Sequence, residues 1–154
     1  MRKVAILLLA VFAGAQLWAQ TDNDYIEIAR SVLKTEKKAA IADAMQLTEA
    51  EADVFWPLYN EYTNAEYKIQ SKRIQIIRDY DNNFENLTDE KADELWNNFI
   101  KYKQELLTLD KKYYKKFKKI LPAGKAARYF QAENKLNALI NAQLALEIPL
   151  LETK

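Results

Sequence analysis

The sequence predicts an all-α fold of four helices with a long antiparallel helical hairpin at its centre. Three observations carry this. Two glycines and three prolines among 154 residues leave little of the turn chemistry on which sheets depend. Ala, Leu, Glu, Lys and Gln, all good helix formers, are abundant. Two threonine-led starts, Leu47-Thr48 and Leu87-Thr88, each precede a long run of apolar residues spaced by threes and fours.

Arg2 and Lys3, the apolar run from Val4 to Ala15 and the small residue ending Leu17-Trp18-Ala19 follow the order of an export leader, cleaved near Ala19. The run falls short of the roughly 20 residues that span a bilayer. No later segment comes closer, so no stable membrane insertion is expected. Residues 20–154 then form a single helical domain, with an apolar tail from about residue 147. No cysteine is present to cross-link the chain or to carry a lipid, so packing must hold it together.

The first helix opens with Tyr25, Ile26, Ile28, Ala29, Val32 and Leu33 and runs to about Met45. Thr48, with Glu51 three residues on, is a capping box in which each side chain accepts from the other's free backbone N–H. It starts the second helix. Phe55, Leu58, Tyr62, Ala65, Ile69, Ile76 and Tyr80 form that helix's apolar stripe, and Pro57 inside it is expected to kink an early turn. Asp81-Asn82-Asn83 interrupts the pattern. Thr88, followed by Asp89 and Glu90 at the positive end of the helix dipole, restarts it.

Leu95, Phe99, Tyr102, Leu106, Leu109, Tyr113, Phe117 and Ile120 step by fours and threes, the most regular amphipathic face in the chain. Each long helix would extend about 50 Å if unbroken. Leu121-Pro122-Ala123-Gly124 ends the third helix, with Pro122 as the first residue of a fourth. Ala126, Ala127, Phe130, Leu136, Leu139, Ile140 and Leu144 are its apolar positions, to about Leu146. Pro149 releases the tail, Ile148-Pro149-Leu150-Leu151.

The two long helices repeat. Leu47, Thr48, Ala52, Asp53, Trp56 and Tyr62 recur as Leu87, Thr88, Ala92, Asp93, Trp96 and Tyr102, all at a spacing of 40. Common origin is one reading, and chance likeness between two capped amphipathic helices is the other.

Without Arg2 and Lys3, 21 basic residues face 22 acidic ones, a formal charge of −1 that points to no partner. The distribution is more informative. Lys101 to Arg128 holds ten basic residues against Glu105 and Asp110, whereas Asp43 to Glu66 holds six acidic residues and no basic one.

Histidine and cysteine are both absent, which removes the commonest general base, metal ligand and thiol nucleophile. Two isolated glycines cannot build a phosphate loop, and the carboxylates lie mainly at helix starts and on solvent faces. No enzyme, cofactor or metal site is therefore expected. Asp79, Asp81, Asn83 and Glu90 do fall at the first, third, fifth and twelfth positions of a calcium-loop pattern. The sixth position, where glycine makes the sharp turn, is Phe84, so a polar helix hairpin ending at the Thr88 cap is the preferred reading.

Lys111-Lys112-Tyr113-Tyr114-Lys115-Lys116-Phe117-Lys118-Lys119 interleaves charge with aromatic rings. A solvated face over core aromatics accounts for it, and so does an amphiphilic surface for an acidic, partly apolar partner. Nucleic acid would suit the charge, but export argues against it. A membrane surface would have to take the same stripe that the core needs.

The paired Leu-Thr starts, the long hairpin and the leader resemble the Spy/CpxP periplasmic proteins of Gram-negative bacteria. The resemblance covers most of residues 20–154. That family's motif is Leu-Thr-x-x-Gln, and this chain carries Glu51 and Lys91 at the glutamine positions. The segments Phe55 to Tyr59 and Ile120 to Phe130 look like a divergent branch of Bacteroidetes type. The resemblance implies a cradle-like subunit that dimerises and holds unfolding proteins without ATP, on a concave basic and apolar surface. That surface is placed on Lys111, Lys112, Lys115, Lys116, Lys118, Lys119, Lys125, Arg128, Tyr114 and Phe117. Its partners are unfolded or partly folded proteins. The alternative is a stress-response accessory protein that binds the periplasmic part of one membrane sensor or anti-sigma factor. A purely structural role for the apolar tail in an assembly is a third reading.

Overall fold

A computed structural model describes residues 19–150. The export leader read over residues 1–19 lies outside the described residues except for Ala19, and so does Leu151 of the tail. All regular structure among the described residues is helical: α1 (Ala19–Met45), α2 (Glu49–Asn83), a short 3-10 turn (Phe84–Asn86), α3 (Asp89–Ile120) and α4 (Ala123–Glu147). None of these helices is long and apolar enough to cross a membrane. The chain divides into two compact units, Met1–Gln46 and Leu47–Lys154.

The first unit contains α1, which starts earlier than the apolar pattern from Tyr25 indicates. Its end has a local cause. Gln46 adopts φ 45°, the left-handed conformation that stops a helix, and its N–H still reaches the Ala42 carbonyl at 3.3 Å. Ile41 and Met45, one turn apart, are buried.

The second unit contains α2, α3 and α4. Thr48 accepts from Glu51 N–H at 3.4 Å and donates its own N–H to Glu51 Oε2 at 2.9 Å, the full capping box. Thr88 caps α3 by accepting from Lys91 N–H at 3.2 Å. The residue three places after each cap also ties its helix to a neighbour. Glu51 accepts from Lys125 Nζ of α4, and Lys91 Nζ sits 2.7 Å from Asp79 Oδ2 of α2.

Partners across the α2–α3 seam run in opposite senses: Phe55 meets Phe117, Tyr62 meets Asp110, Lys72 meets Glu105 and Asp79 meets Lys91. Two of the bonds are reciprocal. Tyr62 of α2 donates to Asp110 Oδ1 of α3 at 2.7 Å, and Tyr102 of α3 donates to Gln70 Oε1 of α2 at 3.1 Å. Each donor and each acceptor is offset from its counterpart by the same spacing of 40 found in the sequence. Along the chain, Glu66 lies midway between Tyr62 and Gln70, and Leu106 midway between Tyr102 and Asp110. Helix α4 runs alongside, linked to the start of α2 through Lys125 and Glu51 and to its middle by Arg73 and Asn141 at 2.6 Å, and the segment after α4 meets the end of α2 where Tyr80 donates to the Pro149 carbonyl at 3.1 Å.

Besides the early start of α1, the helix bounds differ from the sequence reading in two places. Helix α2 continues through Asp81-Asn82-Asn83, where Asn83 Nδ2 donates back to the Asp79 carbonyl and carboxylate at 2.7 and 3.1 Å. Pro57 lies inside α2, where the sequence places it. Pro122 lies just outside α4, with Gly124 inside its first turn in open space.

Candidate functional site

Where α2 begins and α3 ends, the seam is filled with rings. Phe55, Tyr59 and Tyr62 of α2, Tyr113 and Phe117 of α3 and Tyr129 of α4 are all buried. The Phe117 ring is 5.3 Å from Phe55, 4.6 Å from Tyr129 and 5.9 Å from Phe130. Tilted and edge-to-face contacts at these separations are the arrangement the ring quadrupole favours. Three of the four phenols are supplied with acceptors: Tyr62 donates to Asp110, Tyr113 to Glu61 Oε1 at 2.9 Å and Tyr129 to Glu133 Oε1 at 3.1 Å, whereas the buried Tyr59 hydroxyl makes no hydrogen bond among the described residues. Burial above all, then the adjacent carboxylates, raises the Tyr62 and Tyr129 phenols far above their ordinary value. Burial, then Glu61, pushes Tyr113 up to about 12. All three remain protonated donors near neutral pH.

This packing corrects the placing of Phe117 on a client-binding surface. It is 0% exposed and can touch no partner while the protein is folded. Tyr114 is half-buried, edge-on to Phe130 at 5.7 Å and beneath Lys118 Nζ at 5.0 Å. Lys116 pairs with Glu61 at 2.6 Å and lies over the Tyr113 ring at 4.7 Å. Lys125 is held by Glu51. These two lysines fasten helices to one another.

Lys111, Lys112, Lys115, Lys118, Lys119 and Arg128 remain exposed. Among the described residues no carboxylate pairs with any of the five lysines. Lys118 and Lys119 lie in the last turn of α3, where a cation offsets the negative end of the helix dipole. Lys112 Nζ lies over the Tyr113 ring at 5.7 Å and its charge reaches Glu61, whereas Lys111 and Lys115 have no such local function.

Beside these lysines runs an open groove of about 400 Å³. Val54, Pro57 and Leu58 of α2 and Ile120 of α3 form its apolar lining, and Lys116 and Lys119 form one edge, with Glu61 also at the rim. The groove is not legible from either helix alone, because each contributes half of it.

Glu51 is held below the ordinary carboxylate value first by the Lys125 hydrogen bond and then by the Thr48 N–H, and Glu61 first by Lys116 and then by Tyr113. Each binds protons less readily folded than unfolded. Their stabilisation is therefore complete above the ordinary value of 4.5 and is lost as the pH falls through the lowered folded-state values. The melting temperature is expected to drop on acidification through that window. A Glu51→Gln/Glu61→Gln variant should show a shallower drop when melts are compared from neutral to acid pH.

Among the described residues no group of three or more acids is placed to hold a metal ion. The Asp79–Glu90 stretch is occupied by helix, 3-10 turn and the Thr88 cap, with Asp79 paired to Lys91. Comparison with models of protein families, with curated proteins and with solved structures found no match.

Proposed function

We propose that the protein is an exported, periplasmic, ATP-independent chaperone-like binding protein that holds unfolding proteins, with α3 supplying the capture surface. The observation that supports this reading best is the set of exposed lysines without carboxylate partners beside an apolar groove. Long-range charge brings an acidic chain in quickly, and a modest apolar contact holds it without slowing release. Export rests on the charged start and apolar run of the first residues, and dimerisation on the family resemblance.

The test is suppression of aggregation of two unrelated unfolding proteins by the purified protein, without nucleotide, at low and high salt. Protection of both, weakened by salt, is expected. Lys111→Glu/Lys112→Glu/Lys115→Glu should weaken capture about tenfold or more at low salt while helix content is unchanged. Lys116 and Lys125 are left intact because their reversal would break α2 contacts. Protection of neither protein would overturn the chaperone reading in favour of a dedicated regulator binding one membrane sensor or anti-sigma factor.

A further inference from the structure

The groove between α2 and α3 has a definite chemistry. Its lining is aliphatic, and its edge is cationic. The one carboxylate at its rim, Glu61, already accepts from both Lys116 Nζ and the Tyr113 hydroxyl. An incoming anion would thus meet a neutralised carboxylate rather than a free one. Lys119 has no acidic partner among the described residues, and Lys115 and Lys112 lie exposed about one and two turns before it on the same helix. A neutral apolar segment would fill the groove and leave these ammonium groups unanswered. A uniformly acidic one would leave Val54, 44% exposed, in water.

Size narrows the occupant further. About 400 Å³ is at the low end of small-molecule sites, and the groove is open along its length. It suits one or two aliphatic side chains presented by a peptide.

We infer that this groove docks a short peptide segment in which acidic residues flank an aliphatic anchor. The anchor lies over Val54, Leu58 and Ile120, and the flanking carboxylates meet Lys119 and Lys115. The inference rests on the proposed binding function and gives it a substrate preference: acidic-aliphatic segments are held in preference to basic or purely apolar ones.

The experiment uses the whole protein and a dye-labelled peptide carrying glutamates on both sides of a Leu-Leu pair, with its glutamine counterpart as comparison. Fluorescence anisotropy reads the binding. The glutamate peptide is expected to bind saturably and at least about tenfold more tightly than the glutamine one. Lys119→Glu should weaken it by about tenfold, and Val54→Trp, which fills the groove from an exposed position, by a similar factor. Lys103→Glu lies roughly 24 Å further along α3, beyond the reach of screened charge. It should change binding by less than about twofold.

Equal binding of the two peptides, unchanged binding by Val54→Trp, or an equal loss in Lys103→Glu would each overturn the inference. Should Val54→Trp lose helix content, Val54→Asn tests the same apolar contact. If both unfolding proteins are protected but the peptide does not bind, the groove assignment alone fails. Peptide binding without protection would leave the groove standing and remove the chaperone reading.

Discussion

Phe117→Ala is expected to lower the unfolding free energy by about 3–5 kcal/mol, the usual cost of deleting a buried ring. The Phe117 ring is fully buried and in contact with rings from α2 and α4. Its removal opens a void walled by Phe55, Tyr129 and Phe130, none of which can swing in without losing its own contacts. Domains of this size are stable by about 5–15 kcal/mol, so one ring carries a large share. Urea unfolding followed by circular dichroism measures the loss. Lys115→Ala, two positions away and exposed, should stay within about 0.5 kcal/mol. A small loss at Phe117 combined with a large loss of client capture would return it to the binding surface.

Tyr62→Phe should cost about 1.5–3 kcal/mol and Tyr102→Phe about 0.5–1.5 kcal/mol. The two substitutions remove the same hydroxyl from symmetry-related positions, both buried. They differ in the acceptor. Tyr62 donates to a carboxylate and Tyr102 to an amide, with the Arg73 guanidinium also beside the Tyr102 hydroxyl, and donation to a charged acceptor contributes more. The Tyr62 bond is also the shorter, 2.7 against 3.1 Å. Urea midpoints of the two variants give the comparison directly. A larger loss at Tyr102 would mean that packing around each ring, rather than acceptor charge, sets the difference.

The helices and their starts were legible because caps and periodicity are local signals. Thr48 and Thr88 begin α2 and α3 as their sequence contexts indicate. The inner face of α3 was also readable, since Leu95, Tyr102, Tyr113 and Phe117 are buried along the expected stripe. The inner lines of α2 and α4 were harder to find. On α2 the buried residues are Phe55, Tyr59, Tyr62, Thr63 and Glu66, and on α4 they are Ala126, Tyr129 and Glu133. The stripes read from the sequence hold Phe55, Tyr62 and Ala126 correctly. Each line also carries a phenol and a carboxylate that hydrophobicity alone passes over, Tyr59 and Glu66 on α2 and Tyr129 and Glu133 on α4, in favour of Leu58 and Phe130, which flank it half-buried.

The basic surface was legible as charge but not as roles. Spacing places Lys116 and Lys119 near one another, and only the fold reveals that Glu61 from another helix engages one and leaves the other. The lysine that fastens helices and the lysine that faces solvent are the same residue type three positions apart.

The reciprocal tyrosine bonds mean that each long helix carries a donor and, eight residues further on, the position of an acceptor. A helix patterned this way is complementary to a reversed copy of itself, and the contact between two copies is isologous, closing on itself with one sequence. The α2–α3 hairpin therefore has the bonding plan of a homodimer of single helices joined by a short turn. Two helices joined in one chain, unlike the subunits of a homodimer, need not be identical. One tryptophan of the repeat, Trp56, is packed against Phe55 and Tyr59, while its counterpart Trp96 stands 61% exposed. Two halves of shared design can in this way divide the work, one closing the core and the other free to acquire contacts of its own.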